Sequence, residues 1–273
     1  MKNKSSIPSH PFPKSKIPFA IEELSYNNHY NYHEKHRHQY FELVFIENGG
    51  GVQWIDFFKM DLKECSCYLI LPQQIHLLER SPNTRGTVIQ FGEEMIKDAS
   101  LLSQLKILGE PILFEQSSSA FKIMQQFIAL GQLTLSPQQA AYKGKVEGFL
   151  QHLCLHLLTQ NKKDLAAIDS LYLRFITLVE QHFTAWHTVA EYTKALGVTE
   201  NKLGKVIREY RDQTPLQLIH QRLLIEAKRL LLFEHKSIKE VAYDLGFSYP
   251  SNFTAFVKNK TGVSPSVLKE QNS

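Results

Sequence analysis

Cysteine is scarce in this sequence: Cys65, Cys67 and Cys154 are the three among 273 residues. Their odd number and spacing exclude a disulfide framework and a structural zinc site. They fit a reducing compartment, so a cytoplasmic location and three ordinary buried thiols are expected. Long apolar runs are missing too, which excludes a membrane-spanning helix. No phosphate-binding glycine loop, dinucleotide fingerprint or nucleophile elbow occurs, so those enzyme classes have no foothold. The start, Met1 to Lys16, is polar with several prolines. It resembles neither a signal peptide nor an anchor, and residues 1–18 are expected to be a flexible tail.

The apolar content of 43% and charged content of 21% are those of a soluble globular protein, long enough for two cores. Net charge is +4, unevenly placed. Residues 1–169 hold 17 Lys/Arg and 17 Asp/Glu, whereas residues 170–273 hold 14 and 10. The excess in the last third is compatible with phosphate contact, and equally with a solvated surface.

That last third contains a duplicated pattern. Ser237 and Glu240 form a capping box, Val241, Ala242 and Leu245 give one apolar side, and Gly246 ends the helix. Pro250 suits the first turn of the next helix, which carries Phe253, Phe256 and Val257. Upstream by 49 residues, Thr188 and Glu191 form a second capping box. Leu196-Gly197-Val198-Thr199 matches Leu245-Gly246-Phe247-Ser248, and Leu203, Val206, Ile207 and Tyr210 follow as a packing stripe. A lone helix-turn-helix is often only a helical corner, but a pair points to DNA binding. A connecting helix from about Leu216 to Phe233 would be roughly 27 Å long. That length suits recognition helices entering successive major grooves about 34 Å apart.

From about Leu171 to Leu268 these residues resemble the C-terminal domain of AraC/XylS-family transcriptional regulators. The resemblance includes Phe175 to Phe183, Thr214-Pro215-Leu216, Arg222-Leu223, Ala227 to Leu231 and Gly262 to Ser266. It departs at Asp212, where glycine is common, at Ala255, where arginine is frequent, at the swapped Phe256-Val257, and at Val267-Leu268-Lys269, which lacks an aromatic-arginine pair. The resemblance implies base contacts at Asn201 and Lys205, with Lys202 and Arg208 assigned to phosphate. Asn pairs with adenine and Lys donates to guanine. The second helix offers Ser251, Asn252 and Ala255, then Lys258. These are hydroxyl, amide and methyl groups, so the first unit is expected to supply most discrimination and the second mainly to position the protein.

Between about Phe19 and Gly92 short strands alternate with turns. Phe41 to Ile46, Val52 to Asp56, Cys67 to Leu71 and Thr87 to Phe91 read as strands of a small barrel or sandwich. His36-Arg37-His38, Glu42, Gly49 and His76 resemble a cupin barrel, a domain that AraC-like regulators commonly place first. The resemblance implies a divalent transition metal on His36, His38, Glu42 and His76. In a straight strand Glu42 would lie about 13 Å beyond His38, so a shared ion requires a bend near Gln39 to Phe41. The alternative is an inherited pattern that fills the barrel or hydrogen-bonds an organic ligand. Strand parity nominates His38, Tyr40 and Trp54 as pocket residues.

Two amphipathic helical stretches follow, the second from about Gln138 to Thr159 with Val146, Phe149, Leu150, Leu153, Leu157 and Leu158 on one side. That side either packs on the barrel or forms a dimer interface. The expected fold is therefore multidomain α+β. It comprises a cupin-like β-barrel with helical extension over residues 19–160, a linker at 161–169, and an all-α double helix-turn-helix domain over 170–273. The function expected is a DNA-binding transcription regulator of the AraC/XylS type, without enzymatic activity. Expected partners are promoter DNA, RNA polymerase, a small-molecule effector and a second copy of the chain, with no membrane. The alternative is a metal-dependent cupin enzyme fused to a DNA-binding domain.

Overall fold

A computed structural model of the chain describes residues 7–12, 17–24, 34–108, 111–160, 170–210, 213–234 and 236–270. The chain divides into two compact units, Ile7–Ala167 and Ile168–Ser273. The expected linker, 161–169, and Asp212 lie outside the described residues.

In the first unit, Phe41–Asn48 (β4) is the central strand of a five-stranded sheet. It lies between Ser66–Ile70 (β7) and Arg85–Phe91 (β9), with Ile112–Leu113 (β10) and Phe19–Glu23 (β2) at the edges. Six consecutive β4 residues are buried because both faces are covered. One face packs Val44 and Ile46 with Leu24, Leu62, Tyr68, Ile70 and Val88, and with Ile55 and Leu78 of a second sheet. On the other face Phe45 meets Phe114 and Phe121. The second sheet has three strands, Phe58–Leu62 (β6), Gly51–Ile55 (β5) and His76–Arg80 (β8).

A pair of backbone bonds between His36 and His76 links β8 to the short strand Arg37–His38 (β3). Strand pairing among the described residues gives two facing sheets with this bridge rather than one continuous closed ladder. Part of the expected tail is structured: Ser9–His10 (β1) pairs in parallel with β3, and Phe12 packs on Tyr40.

The helical extension consists of Ala99–Lys106 (α1), Ser119–Thr134 (α2) and Tyr142–Gln160 (α3). All the residues named for the apolar side of α3 are buried in the single chain, so packing claims that side. Phe149 meets Phe19 of β2 and Phe127 of α2. Ile123, Leu130 and Leu133 of α2 and Leu155 of α3 remain exposed. The three cysteines are free and buried.

The second unit is helical: Ser170–His182 (α4), Val189–Leu196 (α5), Glu200–Tyr210 (α6), Pro215–Phe233 (α7), Ile238–Asp244 (α8), Pro250–Thr261 (α9) and Pro265–Glu270 (α10). Each helix-turn-helix begins as its sequence demands. Ser237 and Glu240 bond each other's backbone N–H groups at 3.2 and 2.8 Å. The Glu191 carboxylate accepts from both the N–H and the hydroxyl of Thr188, at 2.9 and 2.8 Å. In α7, Leu223, Ala227, Leu230 and Leu231 form one core with Val241, Ala242, Leu245, Phe253 and Val257.

A second tie runs through charge. Arg222 donates to Glu180 of α4 at 2.8 Å and to Glu226 at 3.0 Å, while Arg229 donates to Glu226 at 3.1 Å. Burial alone would raise the Glu226 carboxyl, but Arg222 and Arg229 outweigh it and hold it below the usual carboxylate range.

Both turns contain a glycine with positive φ, +68° at Gly197 and +77° at Gly246. A Cβ at Gly197 meets open space, whereas one at Gly246 collides with the Thr184 carbonyl oxygen. Gly197→Ala should cost about 1 kcal/mol from backbone conformation alone. Gly246→Ala adds a backbone clash and should cost at least about 2 kcal/mol more. Urea unfolding of the full-length chain, read from Trp186 in a Trp54→Phe background, measures both. Equal losses would contradict the close approach at Gly246.

Candidate functional site

The chain bends between β3 and β4, at Gln39 and Tyr40. This is the bend that a common site for His38 and Glu42 requires. Glu42 shares strand parity with Val44 and Ile46, so it points between the sheets. Its cross-strand partner is Gln90, whose amide donates to the carboxylate at 2.8 Å. His76 enters at the start of β8. Ligand atoms of His38, Glu42 and His76 lie within 4.8 Å of one another, and all three residues are buried.

The nitrogens are oriented for a further partner. His38 Nδ1–H donates to the Tyr40 carbonyl at 2.6 Å, and the ring stacks on Tyr40 at 4.1 Å. That bond leaves Nε2 as the lone-pair nitrogen, 3.9 Å from the Glu42 carboxylate and without a hydrogen bond. Neither ring nitrogen of His76 has a hydrogen-bond partner. Burial pushes the Glu42 carboxyl up to about 7, partly opposed by the Gln90 bond. Burial likewise pushes His38 down to about 3 and His76 well below the ordinary histidine value. Two neutral imidazoles and one carboxylate, each buried with unused lone pairs, fit a divalent transition ion that keeps open coordination positions.

Of the four residues expected around a metal, the structure brings three together. His36 stands beside them, its ring 4.3 Å from that of His76 and its Nδ1 bonded to the Glu34 carbonyl, but it falls outside the cluster of ligand atoms. Of the three expected pocket residues, Trp54 is a correction. Alternation along β5 sends Gln53 inward, fully buried, and Trp54 outward. There its indole donates to Glu79 at 3.2 Å, and Lys35 and Lys59 each lie 5.4 Å from the ring centre. Gln53 and Gln90 were missed by the sequence reading. The available signal was a lone amide within each apolar strand.

In the second unit every side chain expected to meet DNA is exposed. On α6, Leu203, Val206 and Ile207 are buried and Asn201, Lys202, Lys205 and Arg208 face solvent. On α9, Phe253 and Val257 are buried and Ser251, Asn252, Ala255 and Lys258 face solvent. The first face offers an amide and three cations, whereas the second is short until Lys258.

A two-sheet unit with an inward donor set, followed by a unit presenting two recognition helices, defines a DNA-binding regulator with a ligand-binding domain. Residues 18–154 match the family described as AraC-like ligand binding domain, and residues 192–271 match a helix-turn-helix domain family. The chain belongs to the AraC family of transcriptional regulators. It is 22% identical over 268 residues to the HTH-type transcriptional activator RhaS of Salmonella arizonae, covering 95% of this chain and 94% of that one. RhaS of Enterobacter sp. is 21% identical over the same length and shares. The crystal structure of ToxT from Vibrio cholerae O395 is similar with a TM-score of 0.44 at 17% identity, over 93% of this chain and 97% of that one. No helix among the described residues is long and apolar enough to cross a membrane.

The pH dependence of the metal-free chain follows from Glu42. Its folded value is raised, so its contribution is fully present below the unfolded value and is lost as pH rises through about 7. The histidines act with opposite sign: their lowered values contribute stability above the unfolded value that is lost as pH falls. Glu42→Gln should therefore gain stability relative to the parent as pH rises from about 5 to about 8, by up to about 3 kcal/mol. Urea midpoints of chelator-treated protein test this. A constant difference across that range would show that Glu42 is already ionised.

Proposed function

We propose that this regulator acts as a cytoplasmic homodimeric activator that contacts RNA polymerase at its promoters. In this reading its first unit senses a divalent transition metal. The observation that carries the metal reading is the trio of His38, Glu42 and His76 with unbonded, buried nitrogens. An ion there would supply the positive charge that Glu42 lacks. His38 and His76 would hold it through nitrogens already freed of protons, while Gln90 and the Tyr40 carbonyl fix the ligands. Activation agrees with what the RhaS relatives are named for. A second copy would cover Ile123, Leu130 and Leu133 on α2. The domain is read as a sensor rather than an enzyme because the matching relatives are transcriptional activators.

Metal analysis and native mass spectrometry of the untagged full-length chain test the sensor reading. One divalent ion per chain is expected, lost in His38→Ala and in His76→Ala. At a free ion concentration of about 100 times Kd the parent should gain about 2.7 kcal/mol of stability that neither variant gains. Metal-independent stability in all three would overturn the sensor reading. Stoichiometric metal together with turnover of a substrate would favour the enzyme.

On DNA, Lys205 and Asn201 are proposed to read bases, Lys202, Arg208 and Lys258 to contact phosphates, and Ser251, Asn252 and Ala255 to make short contacts. Against a duplex selected from a random pool by the full-length chain, Lys205→Ala should cost about 1–3 kcal/mol and relax preference at one base pair. Asn252→Ala should lose less discrimination. An equal or larger loss of specificity from Asn252→Ala would reverse the ranking of the two helices.

A further inference from the structure

The two helix-turn-helix units are not exact copies at the entrance to their recognition helices. Leu203 and Phe253 are fully buried and play the same part, the first inward residue of each recognition helix. From Gly197 to Leu203 is six positions, and from Gly246 to Phe253 is seven. Helix α6 starts at Glu200, three positions after its glycine, and α9 starts at Pro250, four after its own. The second turn therefore contains one more residue, and the position it adds to the mouth of the helix is occupied by Tyr249.

Tyr249 is the N-cap of α9, with φ −136° and ψ 136°, and its carbonyl accepts from the N–H groups of Asn252 and Phe253 at 3.1 and 3.4 Å. The backbone is thus tied to the helix, while the side chain makes no cap bond. It is 65% exposed. Among the described residues its hydroxyl has no hydrogen-bond partner and its ring no aromatic partner. A large amphipathic side chain on a fixed backbone, its hydroxyl and ring unpartnered, can gain by being covered by something else.

The neighbouring chemistry identifies what covers it. Residues at the N-terminal end of a recognition helix are those that reach base edges in the major groove. On the DNA face of α9 the next groups are the hydroxyl of Ser251, the amide of Asn252 and the methyl of Ala255, all short and all exposed. Lys258 lies nearly two turns further along, so at the N-terminal end of the helix Tyr249 is the long side chain. A phenol ring cannot make the bidentate bonds that identify guanine or adenine. Its apolar face matches the one apolar feature of the groove, the thymine methyl, and its hydroxyl can donate to a phosphate oxygen.

We propose that Tyr249 is a thymine-reading residue of the second recognition helix, standing in for the long side chain that Ala255 does not provide. The inference rests on the reading of α9 as a DNA-facing helix. It adds one contact to the second unit and leaves the first as the main source of discrimination.

The test uses the full-length chain and duplexes it enriches from a pool randomised across both half-sites. Each thymine of the half-site bound by α9 is replaced in turn by deoxyuridine, which removes only the methyl group. At one position the replacement should weaken the parent on the order of fourfold. Tyr249→Ala should lose a similar factor on the thymine duplex and be insensitive to deoxyuridine there, while Tyr249→Phe stays sensitive. Because the side chain is exposed and unbonded, thermal midpoints of both variants should match the parent, so weaker binding cannot be ascribed to unfolding. Tyr249→Ala binding as tightly as the parent, or losing equally on every sequence, overturns the inference alone. Failure of the parent to enrich any duplex overturns the DNA-facing reading and this inference with it.

Discussion

Glu42 occupies the inward face of the central strand, where Val44 and Ile46 build an apolar core beside it. A carboxylate in that position must take up a proton or acquire a positive partner, since burial of an unpaired charge costs several kcal/mol. Among the described residues no arginine or lysine takes that role; the near groups are an amide and two imidazoles. The surroundings push the acid and the bases in opposite directions: Glu42 holds its proton more tightly and the histidines hold theirs less. A divalent ion reverses the first tendency and benefits from the second, because it needs ionised carboxylate and neutral imidazole together. The site is thus unfavourable for the metal-free protein in the same respect that makes it receptive to a cation.

The frame around Glu42 explains how a sequence separation becomes a site. His38 and Glu42 would be far apart on a straight strand, and the bend at Gln39 and Tyr40 folds one back toward the other. The bend is held at several points. The Tyr40 carbonyl accepts from His38, the Gln73 N–H donates to the His38 carbonyl, and β1 pairs along β3. His76 is delivered by a different strand, through its two backbone bonds with His36. Each donor is therefore fixed by backbone hydrogen bonds, which hold position more closely than side-chain packing alone.

The legible part of the sequence was the part with local cause. Capping boxes at Thr188 and Ser237, glycines that must take positive φ, Pro250 at a helix start and a period of three to four apolar residues each act within one turn, so the second unit could be read almost residue by residue. The first unit was legible as a set of strands and as a His-x-His, Glu, His pattern. Its side-chain directions were less so. Trp54 and Gln53 are neighbours, and strand parity without a known register named the indole as the inward group. The register of β5 with β6 and β8 decides the matter in favour of Gln53. Gln90 was missed for the related reason that its role depends on pairing opposite Glu42 across 48 positions of chain. Similarly, the apolar side of α3 carries no mark to distinguish a helix that packs on its own sheet from one that pairs with a second copy.

The second unit separates stability from recognition. Its two halves share caps, turn glycines and inward residues, and the core of the second half includes Leu223, Ala227, Leu230 and Leu231 of α7. None of these residues lies on the exposed faces of α6 and α9. A change from lysine to alanine on such a face removes a contact with DNA without opening a cavity, so the faces can diverge while the fold is maintained. They have diverged: α6 carries an amide and three cations, and α9 carries small groups before Lys258, with an exposed tyrosine at its start. The one structural concession is the extra residue after Gly246, and the turn that accommodates it is the one whose glycine lies against the Thr184 carbonyl. There the approach of backbone to backbone fixes the turn from the inside. The added residue can be taken up only on the outer side, at the mouth of the helix, where Tyr249 stands.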